Sequence, residues 1–181
     1  MEPSPPRRSF LIQAATACIS VCVGIIPFAS GLVVWLDPLL RRRTTGGKPP
    51  PLRLGAIGLL PEDGTPQMFP IKADRVDAWT KYSKLPIGAV YVRRKPDGEV
   101  QAFNATCPHL GCFVNVAGDG FRCPCHDSRF KLDGERVNPE SCPSPRNLDE
   151  LEVDQEKLAK GELWVRYQAF ESGKSEKIPK A

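Results

Sequence analysis

Both histidines of this 181-residue chain, His109 and His126, stand inside short runs of cysteine. The first run is Cys107-Pro108-His109-Leu110-Gly111-Cys112, and the second is Cys123-Pro124-Cys125-His126-Asp127-Ser128. Four of the seven cysteines and both histidines therefore fall within twenty residues, a grouping that chance placement does not produce. Such a donor set points to a metal centre, and three chemistries could use it. A structural zinc site takes thiolate and neutral imidazole, but the C-x-H and C-x-C-H spacings depart from the usual zinc patterns, and six donors are two too many. Covalent haem needs C-x-x-C-H, and Cys123-Pro124-Cys125-His126 is one residue short. A [2Fe–2S] cluster with two thiolates on one iron and two imidazoles on the other uses four of the six.

The N-terminal part of the chain poses a different constraint. No charged residue occurs from Ser9 to Leu36. Phe10–Leu36 would span about 40 Å as a helix, more than the roughly 20 residues a bilayer crossing needs. Pro27 removes one backbone hydrogen bond and is expected to kink the span, and Trp35 stands at its far end as an interfacial aromatic. Arg7 and Arg8 precede the span and Arg41, Arg42, Arg43 and Lys48 follow it, so the positive-inside rule does not fix its orientation. Arg7-Arg8-Ser9-Phe10-Leu11 resembles a twin-arginine export signal. Ala29-Ser30-Gly31 is a poor cleavage site, which favours an uncleaved anchor. Cys18, Cys22 and Ala14 share one helical face of small residues suited to helix packing.

Residues 1–48 hold six basic and two acidic side chains, leaving nineteen of each sign in the remainder. The net charge of +4 thus belongs to the flanks of the apolar span, and no basic surface for nucleic acid is expected. Arg41 to Pro51 reads as a tether, with Gly46-Gly47 soft and Pro49-Pro50-Pro51 stiff. Beyond it, short β-branched and aromatic runs alternate with turn residues. Strands are expected at Ala89–Arg93, Val100–Phe103, Phe121–Cys123, Leu148–Val153 and Leu163–Phe170. A hairpin is expected around Asp133-Gly134, a turn at Lys160-Gly161, and a short helical turn over Asp74–Ser83. Nothing resembles a nucleotide-binding βαβ unit.

C-x-H-x-G-C followed ten residues later by C-P-C-H-x-S resembles the double loop of the Rieske iron–sulfur proteins. With its anchor, hinge and proline-rich third loop, the chain is similar to the Rieske subunit of quinol–cytochrome c reductases, the cytochrome bc complexes. The fold implied is mainly β: an antiparallel β-sandwich or small-barrel head with cluster-binding loops, preceded by one N-terminal transmembrane helix. The resemblance divides the chain into a signal anchor at 1–40, a hinge at 41–54 and a Rieske domain at 55–181. Its cluster loops would be 106–114 and 123–131 and its proline-rich loop 139–147.

Carried over by position, Cys107 and Cys123 would ligate the inner iron and His109 and His126 the outer one of a single [2Fe–2S] cluster. Cys112 and Cys125 match the family's disulfide, which implies an extracytoplasmic, oxidising location for the head. His126 would hydrogen-bond quinol and accept its proton. Leu110 matches the apolar residue that shields the cluster and contacts cytochrome b, and Gly111 lets amides face the sulfides. Ser128 matches a hydroxyl donor to a bridging sulfide. Phe130 replaces a tyrosine of high-potential members, and Asp127 replaces a common glycine and adds negative charge. Both departures are expected to lower the potential, which suits menaquinol. Pro143 and Pro145 match the covering proline loop, where Cys142 replaces the usual glycine and is the odd seventh cysteine. The ten residues between Cys112 and Cys123 are fewer than in many members.

The resemblance implies a membrane electron carrier that takes an electron from quinol at cytochrome b and reduces a c-type cytochrome. It acts as a subunit and not as an enzyme alone. An alternative within the same resemblance is the small Rieske subunit of an arsenite oxidase-type molybdoenzyme, several of which tolerate an apolar residue at the position of Phe130. Co-purification with cytochrome b or with a molybdenum subunit separates the two.

Overall fold

The computed structural model describes residues 7–40, 48–76 and 80–180. The chain divides into two compact units, Met1–Gly47 and Lys48–Ala181. The first contains helix α1, Arg7–Leu40, 34 residues that run without interruption through Pro27. Its stretch Arg8–Leu36 is long and apolar enough to cross a membrane, and none of its most apolar window is buried within the protein. Side chains such as Phe28, Val34 and Trp35 stay largely exposed, a surface that matches lipid and not a protein core. Hydroxyls stay satisfied inside the helix: Thr16 donates to the Ile12 carbonyl at 2.8 Å, and Ser30 to that of Pro27 at 2.9 Å.

The second unit is built from short antiparallel strands. They are β1 (Leu52–Ala56), β2 (Gln67–Val76), β3 (Lys81–Arg94), β4 (Val100–Asn104), β5 (Asn115–Ala117), β6 (Gly120–Arg122), β7 (Arg129–Lys131), β8 (Glu150–Leu151) and β9 (Glu162–Val165). Among the described residues these form three sheets: β1 with β9, the row β2-β3-β4-β8, and the row β5-β6-β7.

The middle sheet works because β3 and β4 are buried on both faces. Along β3, Val90 and Val92 point to one side and Ala89 and Tyr91 to the other, the two-residue period of a strand. Register pairs Val92 with Ala102 and Tyr91 with Phe103, so each face continues across β4. One face joins Leu60, Ile71, Leu163 and Val165. The other joins Val114, Phe121, Phe130, Leu148, Cys107 and Cys123. The two Cys/His loops are thereby packed onto a core of their own, with Phe121 against Tyr91 and Phe103 at ring separations of 5.2 and 6.0 Å.

Several local expectations change. The described parts of Asp74–Ser83 are extended where a helical turn was expected: β2 runs to Val76 and β3 begins at Lys81, with Val76 opposite Lys81. Residues 77–79 lie outside the described residues. The Asp74 carboxylate takes the Lys84 backbone N–H at 3.0 Å and pairs with Lys81 at 3.2 Å, cross-strand contacts that outweigh a weak local helical pattern. The strand expected at Leu148–Val153 shrinks to Glu150–Leu151, and that at Leu163–Phe170 becomes Glu162–Val165. Between them lies an unanticipated helical turn α2, Gln155–Leu158, capped by the Asp154 side chain. The Asp-Gly hairpin is present, with Gly134 N–H donating to Lys131 O and Lys131 N–H to Glu135 O.

The hinge expected at 41–54 is reshaped. Its Gly46-Gly47 half lies outside the described residues. From Lys48 the chain is held to the second unit: Lys48 pairs with Glu152 at 2.9 Å, Arg166 donates to Pro49 O at 3.0 Å, and Leu52 is already in β1.

Candidate metal centre

Two loops face each other, one between β4 and β5 and one between β6 and β7, and they repeat one hydrogen-bonding scheme. In the first, Cys107 N–H donates to Cys112 O at 2.7 Å and Gly111 N–H returns to Cys107 O at 3.0 Å. In the second, Cys123 N–H donates to Ser128 O at 2.8 Å and Asp127 N–H returns to Cys123 O at 3.0 Å. The residue four places beyond each cysteine must turn the chain back, and both take the left-handed region, Gly111 at φ 84° and Asp127 at φ 58°. Glycine does so freely, and aspartate is among the few other residues that tolerate it.

The donors are sorted by depth. Cys107 and Cys123 are essentially fully buried. His109 is half-buried and His126 is exposed. The two imidazoles meet edge to face with ring centres 4.8 Å apart. Cys112 and Cys125 form a disulfide that joins the two loops, with Cα atoms 6.6 Å apart. The sulfurs of Cys112, Cys123 and Cys125 come within 4.8 Å of one another, but two of these are tied up in the disulfide, which leaves Cys123 as the free donor among them.

Two buried polar atoms at this place have no hydrogen-bond partner: Nδ1 of His109 and Oγ of Ser128. Leaving such groups unmatched costs about 1–3 kcal/mol each, and a centre that accepts an imidazole lone pair and a hydroxyl proton would satisfy both. Burial pushes the Cys107 thiol up to about 11. A thiolate is held there only where a cation takes the place of the proton. The residues present therefore fit a [2Fe–2S] group, with Cys107, Cys123, His109 and His126 as the donors available to hold it.

The surroundings correct one expectation. Asp127 is not a free negative charge beside His126. Arg122 Nε and Arg129 Nη2, the latter at 3.0 Å, both bind its carboxylate. The Arg129 and Arg122 hydrogen bonds hold the Asp127 carboxyl below the usual carboxylate range. Arg122 and Arg129 are cross-strand partners at the mouth of the second loop, so Asp127 closes the loop onto its own base with a local charge of +1. Phe130 is buried in the core beside Cys107 and Cys123, and its ring offers no donor. Leu110 is 62% exposed and Phe113 54%, which makes the rim of the first loop apolar. In the third loop, Ser144 is buried and donates to Arg146 O at 2.7 Å, while Pro143 is exposed and Pro145 half-buried. Cys142 is a free, half-buried thiol whose sulfur lies 3.9 Å from Arg129 O.

The sequence reading missed three features. The arginine clamp was detectable from two arginines flanking C-P-C-H-D-S. Gly120 was not: a Cβ there would lie 2.1 Å from Phe130 O, so β6 can approach β7 only with glycine. The third is the C-terminal segment, whose Gly173 N–H donates to Pro108 O at 2.8 Å in the first loop.

A β head that presents two buried thiols, two imidazoles in edge-to-face contact and an inter-loop disulfide is the head of an iron–sulfur protein. Residues 69–152 match the family described as the Rieske [2Fe-2S] domain. The menaquinol:cytochrome c reductase iron-sulfur subunit of Bacillus subtilis (strain 168) is 31% identical over 157 residues, 81% of this chain and 86% of that protein. The subunit of the same name from Geobacillus thermodenitrificans is 31% identical over 173 residues, 90% of this chain and 95% of that protein. A crystal structure of the plasma membrane Rieske protein of Synechocystis PCC 6803 superimposes over 64% of this chain and 99% of its own, at 23% identity and a TM-score of 0.45. This chain belongs to the Rieske [2Fe-2S] family, and its cofactor is a [2Fe–2S] cluster.

Proposed function

We propose that this chain is the electron-transfer subunit of a membrane quinol–cytochrome c oxidoreductase, with menaquinol as donor, cytochrome b as its partner at the quinol site and a c-type cytochrome as acceptor. The observation that carries the reading is the exposure of the His126 imidazole above two buried cysteines. A donor in solution or in a partner's pocket can reach a cluster-bound imidazole there without opening the core. The names of the two menaquinol:cytochrome c reductase relatives, matched along most of their length, support the donor class.

Cys107 and Cys123 would hold one iron of the cluster, and His109 and His126 the other. The cluster supplies one-electron chemistry at a potential raised by its two neutral imidazole ligands. His126 would hydrogen-bond the quinol hydroxyl and take up its proton at the exposed edge of its ring. The exposed Leu110 lies against cytochrome b and excludes water from that hydrogen bond. The buried Ser128 hydroxyl, which has no partner in the protein, would donate to the cluster, and the Cys112–Cys125 disulfide keeps the two loops from parting. That disulfide, together with the twin-arginine sequence, supports a head on the extracytoplasmic side of a single-pass anchor.

Affinity purification of the full chain from its native membrane tests this reading. Cytochrome b should co-purify, and menaquinol should reduce the preparation to give the rhombic EPR signal of a mixed-ligand cluster. Co-purification of a molybdenum subunit in place of cytochrome b would overturn it.

A further inference from the structure

The last dozen residues fold back as a hairpin that no feature of the two Cys/His runs required. Lys180 N–H donates to Ala169 O at 2.8 Å and Glu171 N–H to Ile178 O at 2.9 Å, with Phe170 opposite Pro179. Lys177 rests over the Phe170 ring and reaches Glu150 O. The bend of this hairpin, residues 171–174, is caught between two partners.

On one side is the buried guanidinium of Arg146. Its Nε and Nη2 grip the equally buried Asp149 carboxylate at 2.9 and 2.8 Å. The same group donates to Glu171 O at 2.8 Å and Lys174 O at 2.6 Å. A single rigid fork thus holds the carbonyls on both sides of Ser172-Gly173. On the other side is the first cluster loop. Gly173 N–H donates to Pro108 O at 2.8 Å, and Gly173 passes close beneath His109 O. Ser172 Oγ lies 3.3 Å from where a side chain on Gly111 would begin, so the hairpin packs closely against that residue.

We infer that Arg146 is a positioning residue for the cluster: acting through the 171–174 bend, it holds the Pro108–Gly111 backbone, and with it the His109 imidazole, in place. Burying an ion pair is a weak source of stability, since desolvation offsets the attraction. What this pair adds is geometry. Asp149 fixes the plane of the guanidinium, and the remaining donors fix the bend that lies under the loop. The inference takes from the proposed function only which loop carries His109.

The test uses the full chain, loaded with its cluster in detergent, as wild type, R146Q and the double variant R146Q/D149N. The double variant leaves no buried charge unpaired and so separates the lost carbonyl bonds from simple misfolding. Amide hydrogen exchange is expected to rise at least about tenfold in residues 107–112 and 171–174, as for loss of a charge-assisted hydrogen bond. Exchange in β3 and β4 should stay unchanged, and the EPR g-values of the reduced cluster should shift. Faster exchange at 171–174 alone, with residues 107–112 and the EPR line unaltered, would overturn the inference, as would an equal rise throughout the head. Absence of a Rieske-type signal in the wild type would instead contradict the ligand assignment, while the exchange data would still decide the role of Arg146.

Discussion

Asp127 shows how one side chain can serve backbone geometry and charge at once. It takes a left-handed turn that glycine would make freely, and its carboxylate is held by Arg122 and Arg129. Replacement by asparagine leaves two unpaired guanidinium groups beside His126, and positive charge favours the reduced cluster. D127N should therefore raise the midpoint potential, by about 10–40 mV for a screened surface charge. R129Q removes one positive charge from the same clamp and should lower it. EPR-monitored potentiometry reads both, and shifts of the same sign in the two variants would refute the clamp as a charge device. Phe130 is the second residue at issue. F130Y adds a hydroxyl beside the two buried cysteines, and one hydrogen bond to a ligand sulfur should lift the potential by about 40 mV.

At the scale of elements, the two Cys/His loops are held by one repeated scheme on a shared aromatic core. The close approach of β6 to β7 is its tightest point. G120A would place a methyl against the Phe130 carbonyl, which is backbone and cannot swing aside. The cost should be about 1–3 kcal/mol, as for overpacking, whereas G58A, where nothing lies within 4 Å, should stay within about 0.5 kcal/mol. Denaturant titration of the two variants compares them. These elements also show what a sequence can reveal. The Cys/His runs, the Asp133-Gly134 turn and the alternation over Ala89–Val92 are local properties, and all are readable in the sequence. The strand ends at Val76 and Lys81 depend on pairing across a hairpin, and Asp74–Ser83 was misread as helical for that reason. The C-terminal hairpin was invisible because its partners, Pro108 and Arg146, are distant in sequence.

The whole molecule joins an apolar helix to a β head that begins at Lys48, earlier than composition suggested. The Pro49–Pro51 run looked like part of a tether, yet Glu152 holds its neighbour Lys48 and Arg166 holds Pro49. The Lys48 hydrogen bond, with help from Arg166, keeps the Glu152 carboxyl below its usual range. A carboxylate depressed in the folded state contributes fully above its unfolded value of about 4.3 and loses that contribution as pH falls through the folded one. The Lys48–Glu152 pair should thus be intact at neutral pH and part only below about pH 4, a step that an NMR titration of the Lys48 side-chain resonances reads and that should be absent in E152Q.

The central claim is a [2Fe–2S] cluster held by two cysteines and two histidines, one of them exposed and able to take up a proton with the electron. An EPR-monitored redox titration of the full chain across pH tests it most directly. A rhombic signal is expected, with a midpoint in the lower part of the roughly −150 to +300 mV range of such centres. That midpoint should fall with rising pH, by up to about 59 mV per unit where a proton is taken up with the electron. A midpoint independent of pH up to about pH 10, or one at the top of that range, would contradict the account.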